Sequence, residues 1–330
     1  MKISILLPTY NGSKYIRETI DSILRQNFKN YEIIIQDDCS TDNTIKILKD
    51  YKSSLLKIHK NKNNLGYPKN LELARKRSKG DIIFLMGQDD ILRQNTLKDV
   101  HKIFVENKNV GAITRPYYWF QDDKTKKPIR LKNGINYKKN TMITIKSPFS
   151  DIIKAIDSLD QLSGLAYRTS FMTIGFHSDI FPCHIYPFLE ILKKHPVVFQ
   201  KDITIAVRIA SSQSRWLKSI YEKSPLQSWV EMIQNIFPKN KYNRLQNFII
   251  QEFVAKNYVG QFQIRNYGSY LYFIREAFLL IKYRWKNIFY PNFWAINITC
   301  ALLPRTLCIK LVDSYKEKLL SKKINVQPII

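Results

Sequence analysis

Acidic side chains are scarce: 27 Asp and Glu stand against 53 Lys and Arg in 330 residues, a formal net charge of +26. A surface so basic attracts phosphate-bearing ligands, anionic lipid or nucleic acid, and charge alone does not choose among them. For any single lysine, a solvated surface position is as good a reading as a binding role. Cysteine is also sparse. Cys39, Cys183, Cys300 and Cys308 are scattered with no C-x-x-C pair, which argues against a disulfide framework and suits buried thiols in a reducing compartment. His59, His101 and His195 show no ligand spacing, so zinc is not expected. Long apolar runs are missing too. The longest, Ile288 to Leu303, is broken by Pro291, Asn292 and Asn297, which argues against a spanning helix. Met1-Lys2 leads straight into the short run Ile3–Leu7 and then a polar turn, so no secretory leader is expected and the location is read as cytoplasmic. Nor is there a Gly-rich phosphate loop of the Walker or dinucleotide kind.

What is present can build a core: 45% of residues are hydrophobic and 24% charged, and the length suits one large or two ordinary domains. The first hundred residues alternate strand and helix signals. Ile3–Leu7, Glu32–Ile35, Leu55–His59 and Asp81–Met86 read as strands, and Lys14–Arg25, Asp42–Tyr51 and Pro68–Arg77 as helices. That alternation predicts an α/β fold with a mostly parallel, doubly wound sheet flanked by helices. Ligands of such sheets sit at the carboxyl ends of the strands. Residues 120–150 form a polar excursion, read as a surface loop. Leu162–Tyr167 and Val197–Phe199 read as strands and Ile185–Leu192 as a helix. From Trp216 onward strand signals vanish, and Ser269–Lys286 is helical. The expected division is therefore 1–215 and 216–330.

Three strand ends carry polar clusters: Pro8-Thr9-Tyr10-Asn11-Gly12, Asp37-Asp38-Cys39-Ser40-Thr41-Asp42 and Gly87-Gln88-Asp89-Asp90. Each alone has a structural explanation, as a turn, a helix cap or an ordinary acidic loop. Three on one edge of one sheet are harder to dismiss. A carboxylate there can accept the imide hydrogen of a uracil or thymine ring. A carboxylate pair can hold Mg²⁺ or Mn²⁺, hard ions that share coordination with substrate phosphates and neutralise a departing diphosphate.

These segments, with Asn64-Leu65-Gly66-Tyr67-Pro68-Lys69-Asn70 and Lys79-Gly80-Asp81 through Asp90, resemble the family 2 glycosyltransferases over residues 1–110. The details are most similar to the bacterial surface-polysaccharide branch, O-antigen and capsule enzymes that include rhamnosyltransferases. The resemblance implies a Rossmann-like GT-A fold followed by a C-terminal helical region. It also implies an inverting, metal-dependent hexosyltransfer from a nucleotide-diphosphate sugar to a polyprenyl-diphosphate-linked glycan. Residue by residue, it implies that Pro8, Thr9, Tyr10 and Asn11 line the nucleotide and Asp38 binds its base. Asn70 would sit near the ribose or phosphates. Asp89 and Asp90 would be the D-x-D equivalent that holds Mn²⁺ or Mg²⁺, Asp90 as direct ligand and Asp89 toward the donor sugar. The family often has Asp where this chain has Gly87, which removes one ligand.

An inverting transfer also needs a general base. The family's Glu-Asp pair falls, without gaps, on His184 and Ile185. His184 is the leading candidate, since histidine serves as a base near neutral pH, with Asp179 and Glu190 as alternatives. Ser211 to Trp216 resembles the Gln-x-x-Arg-Trp of processive synthases but is one residue short, so processivity is not inferred, although Arg215 could reach a diphosphate. Residues 216–330 hold 17 Lys and Arg against 6 Asp and Glu, interleaved with aromatics. That composition suits a region resting on an anionic membrane, at the inner face of the cytoplasmic membrane where lipid-linked acceptors lie, each cation near the surface contributing about 1 kcal/mol. Two other readings stay open. One is a nucleic-acid-binding protein, against which stands the absence of any known reader motif. The other is a donor-binding pseudoenzyme lacking the Glu-Asp pair.

Overall fold

Continuous apolar runs place the first strands at the centre of a sheet, because a strand covered on both faces needs no polar alternation. β1 (Ile3–Thr9) and β2 (Tyr31–Asp37) are buried along their whole length. The structure, a computed structural model, describes residues 1–121, 126–209, 221–315, 326 and 328–329. Between and after the first strands run α1 (Ile16–Leu24), α2 (Thr44–Lys49), β3 (Leu56–Lys60), α3 (Tyr67–Arg77), β4 (Ile82–Leu85), β5 (Ile91–Leu92) and α4 (Thr96–Glu106). There follow β6 (Ala112–Thr114), β7 (Tyr117–Phe120), β8 (Pro128–Lys132), β9 (Thr141–Ile143), α5 (Phe149–Asp157), β10 (Ala166–Arg168), α6 (Ile185–Leu192), β11 (Val197–Phe199) and β12 (Ile205–Arg208).

The main sheet has the order β3-β2-β1-β4-β10-β6-β11-β9, and a smaller one the order β5-β12-β7-β8. β3, β2, β1 and β4 are mutually parallel, as their alternation with helices predicts. β10 enters antiparallel between β4 and β6. The β1–β2 register sets Thr9 beside Asp37, so the first two polar clusters leave the sheet side by side. Ile5, Leu7, Ile33, Ile35, Phe84 and Val100 belong to one fully buried cluster beneath that edge.

Two local readings change. Residues 120–150 are not merely a loop: β8 and β9 lie there. Their signal was hidden because β8 is half-buried and carries Arg130 and Lys132, and the Arg130 guanidinium lies 3.5 Å over the Trp119 ring of the paired strand. The strand expected at 162–167 is shifted to β10, because Gly164, at φ +86°, turns the chain first.

The chain divides into two compact units, Met1–Ser211 with Asn325–Ile330, and Ser212–Ile324. Whereas the expected second region ran to residue 330, Val326 and Ile329 pack in the first unit on the cluster of Ile91, Tyr118, Phe120 and Ala206. The Ile329 amide donates to the Tyr118 hydroxyl at 3.1 Å. The second unit consists of α7 (Pro225–Ile236), α8 (Lys239–Ile249), α9 (Gly260–Tyr267), α10 (Tyr270–Tyr283), α11 (Pro291–Leu302) and α12 (Arg305–Tyr315), with short helical turns between them. Ser224 and Ser269 cap α7 and α10 by accepting amide hydrogen bonds, as good N-caps do. Gln261 of α9 donates to Asn297 of α11 at 2.9 Å. No helix among the described residues is long and apolar enough to cross a membrane.

Phe84 is fully enclosed in the central strand. Phe84→Ala is expected to lower the unfolding free energy by about 3–5 kcal/mol, measured by urea denaturation, and a loss below about 1 kcal/mol would refute close packing at this position.

Candidate active site

The three polar clusters meet because side chains of one accept the main-chain amides of another. Asp37, fully buried at the end of β2, accepts the Thr9 hydroxyl at 3.2 Å and the Ser40 amide at 2.9 Å. Asn11 donates its amide to the Ser40 hydroxyl and accepts the Thr41 amide, both at 2.9 Å. The Ser13 amide donates to Asp42, also at 2.9 Å. Gln88 reaches back to Tyr10, accepting its amide at 2.9 Å and donating to its carbonyl at 3.0 Å. Asn11 and Cys39 hold positive φ values of 47° and 64°, costly for residues other than glycine and common where a loop is fixed for function. Pro8 and Thr9 are buried, and the Tyr10 ring is exposed at the edge.

Asp38 is nearly enclosed. It accepts the amides of Leu65 and Gly66 and the Asn61 side chain, each at 2.8 Å. Asn61 in turn donates to Asn70 at 2.9 Å, and Asn70 donates to the Gln36 carbonyl at 2.7 Å. Asn70 is thus buried beneath the edge as part of the scaffold that fixes Asp38. Gln36, Asn61 and Gln88 were not singled out from the sequence. Gln88 at least lies inside a quoted cluster.

The acidic pair after β4 is asymmetric. Asp90 is buried, its carboxylate accepting the Ser163 hydroxyl and, at 3.0 Å, the Arg208 amide. Burial, and secondarily the charge of Asp89, push its carboxyl up to about 7. Asp89 is half-buried, and its carbonyl accepts the Arg208 guanidinium at 3.0 Å. Gly87 explains how the pair fits. A Cβ there would meet Asp90 Oδ2 at 3.0 Å, Ser163 Oγ at 3.1 Å and Asp89 Oδ1 at 3.2 Å, so the missing side chain leaves room for three oxygens to converge. Two carboxylates and a hydroxyl suit a hard divalent ion completed by water and phosphate oxygens. No cluster of three or more His, Cys, Asp or Glu occurs among the described residues, so the pair would hold such an ion only with help from substrate.

Arg115 and Arg208 frame this pair and had no local signal in the sequence. Arg115 is fully buried, donating to the Ser158 and Gln161 carbonyls at 2.9 Å each. Arg208 comes from the end of β12 and also reaches Glu18.

The three base candidates differ in their surroundings. His184 is buried: Nε2 donates to the Leu159 carbonyl at 2.8 Å, and Nδ1 faces the Tyr67 hydroxyl at 3.4 Å. Burial pulls its pKa down to about 4. Both nitrogens therefore serve the fold, and neither is turned to an acceptor hydroxyl. Glu190, on α6, pairs with Lys193 at 2.7 Å and Lys194 at 3.5 Å. Asp179 is half-buried on the loop leading to α6, its amide bonded to His177 Nδ1 at 3.1 Å. Arg215 lies outside the described residues.

A histidine held neutral contributes stability above its unfolded pKa of about 6.5, and that contribution is lost as pH falls from there toward 4. His184→Gln should remove this part of the pH dependence relative to wild type. Urea midpoints measured from about pH 7 down to pH 4 test it, and identical slopes in the two proteins would refute a buried neutral imidazole.

Comparisons with known proteins bear on the family and the fold. Residues 4–156 match Glycosyl transferase family 2. The poly(ribitol-phosphate) beta-N-acetylglucosaminyltransferase TarS of Staphylococcus aureus is 39% identical over 103 residues, 30% of this chain and 18% of TarS. Its counterpart TarP, also from S. aureus, is 36% identical over 114 residues, 33% of this chain and 34% of TarP. The chain thus matches well under half of either relative. An uncharacterised glycosyltransferase of Rickettsia typhi is 32% identical over 216 residues, 64% of this chain and 65% of that protein. Among solved structures, S. aureus TarS 1–349 in complex with UDP-GlcNAc superposes with a TM-score of 0.65 at 19% identity, covering 96% of this chain and 92% of that one. The mannosyltransferase PcManGT of Pyrobaculum calidifontis, in complex with GDP-Man and Mn²⁺, gives 0.55 at 14% identity, covering 96% and 88%. From residue 4 to residue 156 this chain carries a glycosyl transferase family 2 domain, and its fold is GT-A.

Proposed function

We propose that the chain transfers a sugar from a UDP- or dTDP-linked donor onto a polyprenyl-diphosphate-linked glycan, with inversion, in bacterial surface-polysaccharide assembly such as O-antigen or capsule. The observation that carries this reading is the convergence of the Asp89 and Asp90 oxygens over Gly87, on the edge where Gln88 fixes Tyr10 and the Leu65-Gly66 amides fix Asp38. The UDP-GlcNAc bound to a structural neighbour favours UDP over dTDP.

In this reading the exposed Tyr10 ring and Asp38 receive the base, and Asn11 shapes the turn beside them. Asp89 is the carboxylate that meets the ion and donor, while Asp90, held by Ser163 and the Arg208 amide, supports it from behind. This reverses the weight that the sequence gives the two, because Asp90 is the more enclosed. When bound, Mn²⁺ or Mg²⁺ would neutralise charge on the leaving diphosphate. A cation at Asp89 would also offset the repulsion between the two neighbouring carboxylates. With His184 committed to Leu159 and Glu190 to two lysines, the base role passes to Asp179, on the loop before α6.

The expected results are specific. A panel of sugar nucleotides should raise the melting temperature only for the true donor and more in the presence of Mn²⁺, since selective binding stabilises by mass action. Asp89→Ala should abolish the metal-dependent part, and persistence of that part would remove Asp89 from the site. Asp179→Asn should lower kcat by about 10²–10⁴-fold with donor KM little changed. An unaltered kcat would exclude it as base, and donor binding without turnover in wild type would mark a pseudoenzyme.

A further inference from the structure

The second unit contains helices that are apolar on two sides. α10 buries Phe273, Glu276 and Leu280, yet its opposite side presents Leu271 and Phe278, 75% and 69% exposed and seven residues apart, with Lys282 one turn on. α11 buries Phe293, Asn297 and Cys300, while Trp294, Ile298 and Leu302 line an outer stripe at four-residue spacing, Leu302 being 77% exposed. Between them Trp285 and Phe289, 61% and 68% exposed, pack edge to face with ring centroids 5.6 Å apart. The Trp294 indole donates to the Ile288 carbonyl at 2.7 Å, so the 285–290 segment and the α11 stripe are continuous. A helix that presents apolar side chains on its outer side as well as its inner one needs an apolar neighbour there too, and an exposed apolar surface of this kind marks a docking site.

Charge selects the occupant. Lys282, Lys286, Arg305 and Lys310 are all exposed among these apolar residues. A symmetric second copy would place the same patch opposite itself, cation against cation. A bilayer with anionic headgroups meets both features, because indole and phenyl rings settle at headgroup depth and the lysines reach outward to phosphate. We propose that the outer faces of α10 and α11, with residues 285–290 and the start of α12, form the surface by which this chain docks on an anionic lipid bilayer.

The whole chain is tested by sedimentation with vesicles of phosphatidylglycerol and of phosphatidylcholine, over a range of salt. Expected is binding to the anionic vesicles alone, weakened by salt. The combined variant Phe278→Ser, Phe289→Ser, Leu302→Ser changes only exposed side chains. It should keep the helical circular dichroism and lose about tenfold or more in vesicle partition. The variant Lys282→Glu, Lys286→Glu, Lys310→Glu should lose the preference for anionic vesicles. Wild-type chain that stays in the supernatant, or a serine variant that pellets like wild type, overturns the proposal. So does self-association of the wild type that the serine variant abolishes without any vesicle binding, which makes the face a subunit interface. Donor-induced thermal stabilisation is measured in parallel and should not change in either variant, which separates this docking surface from the donor reading.

Discussion

The architecture of the active edge depends on one repeated interaction: a carboxylate that accepts a main-chain amide from another turn or segment. Several acidic side chains in both units do this, and Asp37 does so within its own turn. Asp37 takes the Ser40 amide, Asp38 those of Leu65 and Gly66, Asp42 those of Ser13 and Thr44, and Asp90 that of Arg208. Asp81 holds Lys2, Glu32 holds Lys79, Glu72 holds Phe176, and Glu276 holds Leu226. Hydrogen bonds to a charged acceptor are worth about 1.5–3 kcal/mol each, and a buried carboxylate deprived of them would be strongly unfavourable. The loops that leave the sheet are thereby fixed before any ligand arrives. Preorganisation of that kind lowers what binding must supply.

The same economy bears on charge. In a chain with 27 acidic against 53 basic residues, even carboxylates that accept amides and also pair with cations, as Glu32 does with Lys2 and Glu72 with Arg75, leave a large basic excess. A basic field over the whole surface speeds encounter with any diphosphate, and it weakens with salt.

Much of the first unit was legible because its strands are buried on both faces and so write themselves as unbroken apolar runs: Ile3–Leu7, Ile33–Ile35 and Ile82–Leu85 could not be read as anything else. The polar clusters were legible because they follow those runs directly. What was not legible depends on partners distant in sequence. Arg208 reaches Asp90 across 118 residues, and no local pattern announces it. β8 hides because its half-buried strand carries Arg130, which lies over Trp119, and Lys132, which pairs with Asp157 and Asp160. His184 and Asp90 show the limit most clearly, since a residue type names the chemistry available while burial decides whether solvent or substrate can reach it. Asn70, the last residue of the Asn64–Asn70 motif, is likewise spent inside the scaffold.

The chain order of the two units has a consequence for biogenesis. Val326 and Ile329, which fill the cluster beneath β7 and β12, are translated after every helix of the second unit. The main sheet can form as soon as β11 has been made, but the smaller sheet lacks these apolar side chains until residues 326 and 329 have followed. During synthesis Tyr118 and its neighbours therefore wait uncovered while the helical unit is produced. Completion of the first unit is thus a late step, tied to the translation of residues 326 and 329.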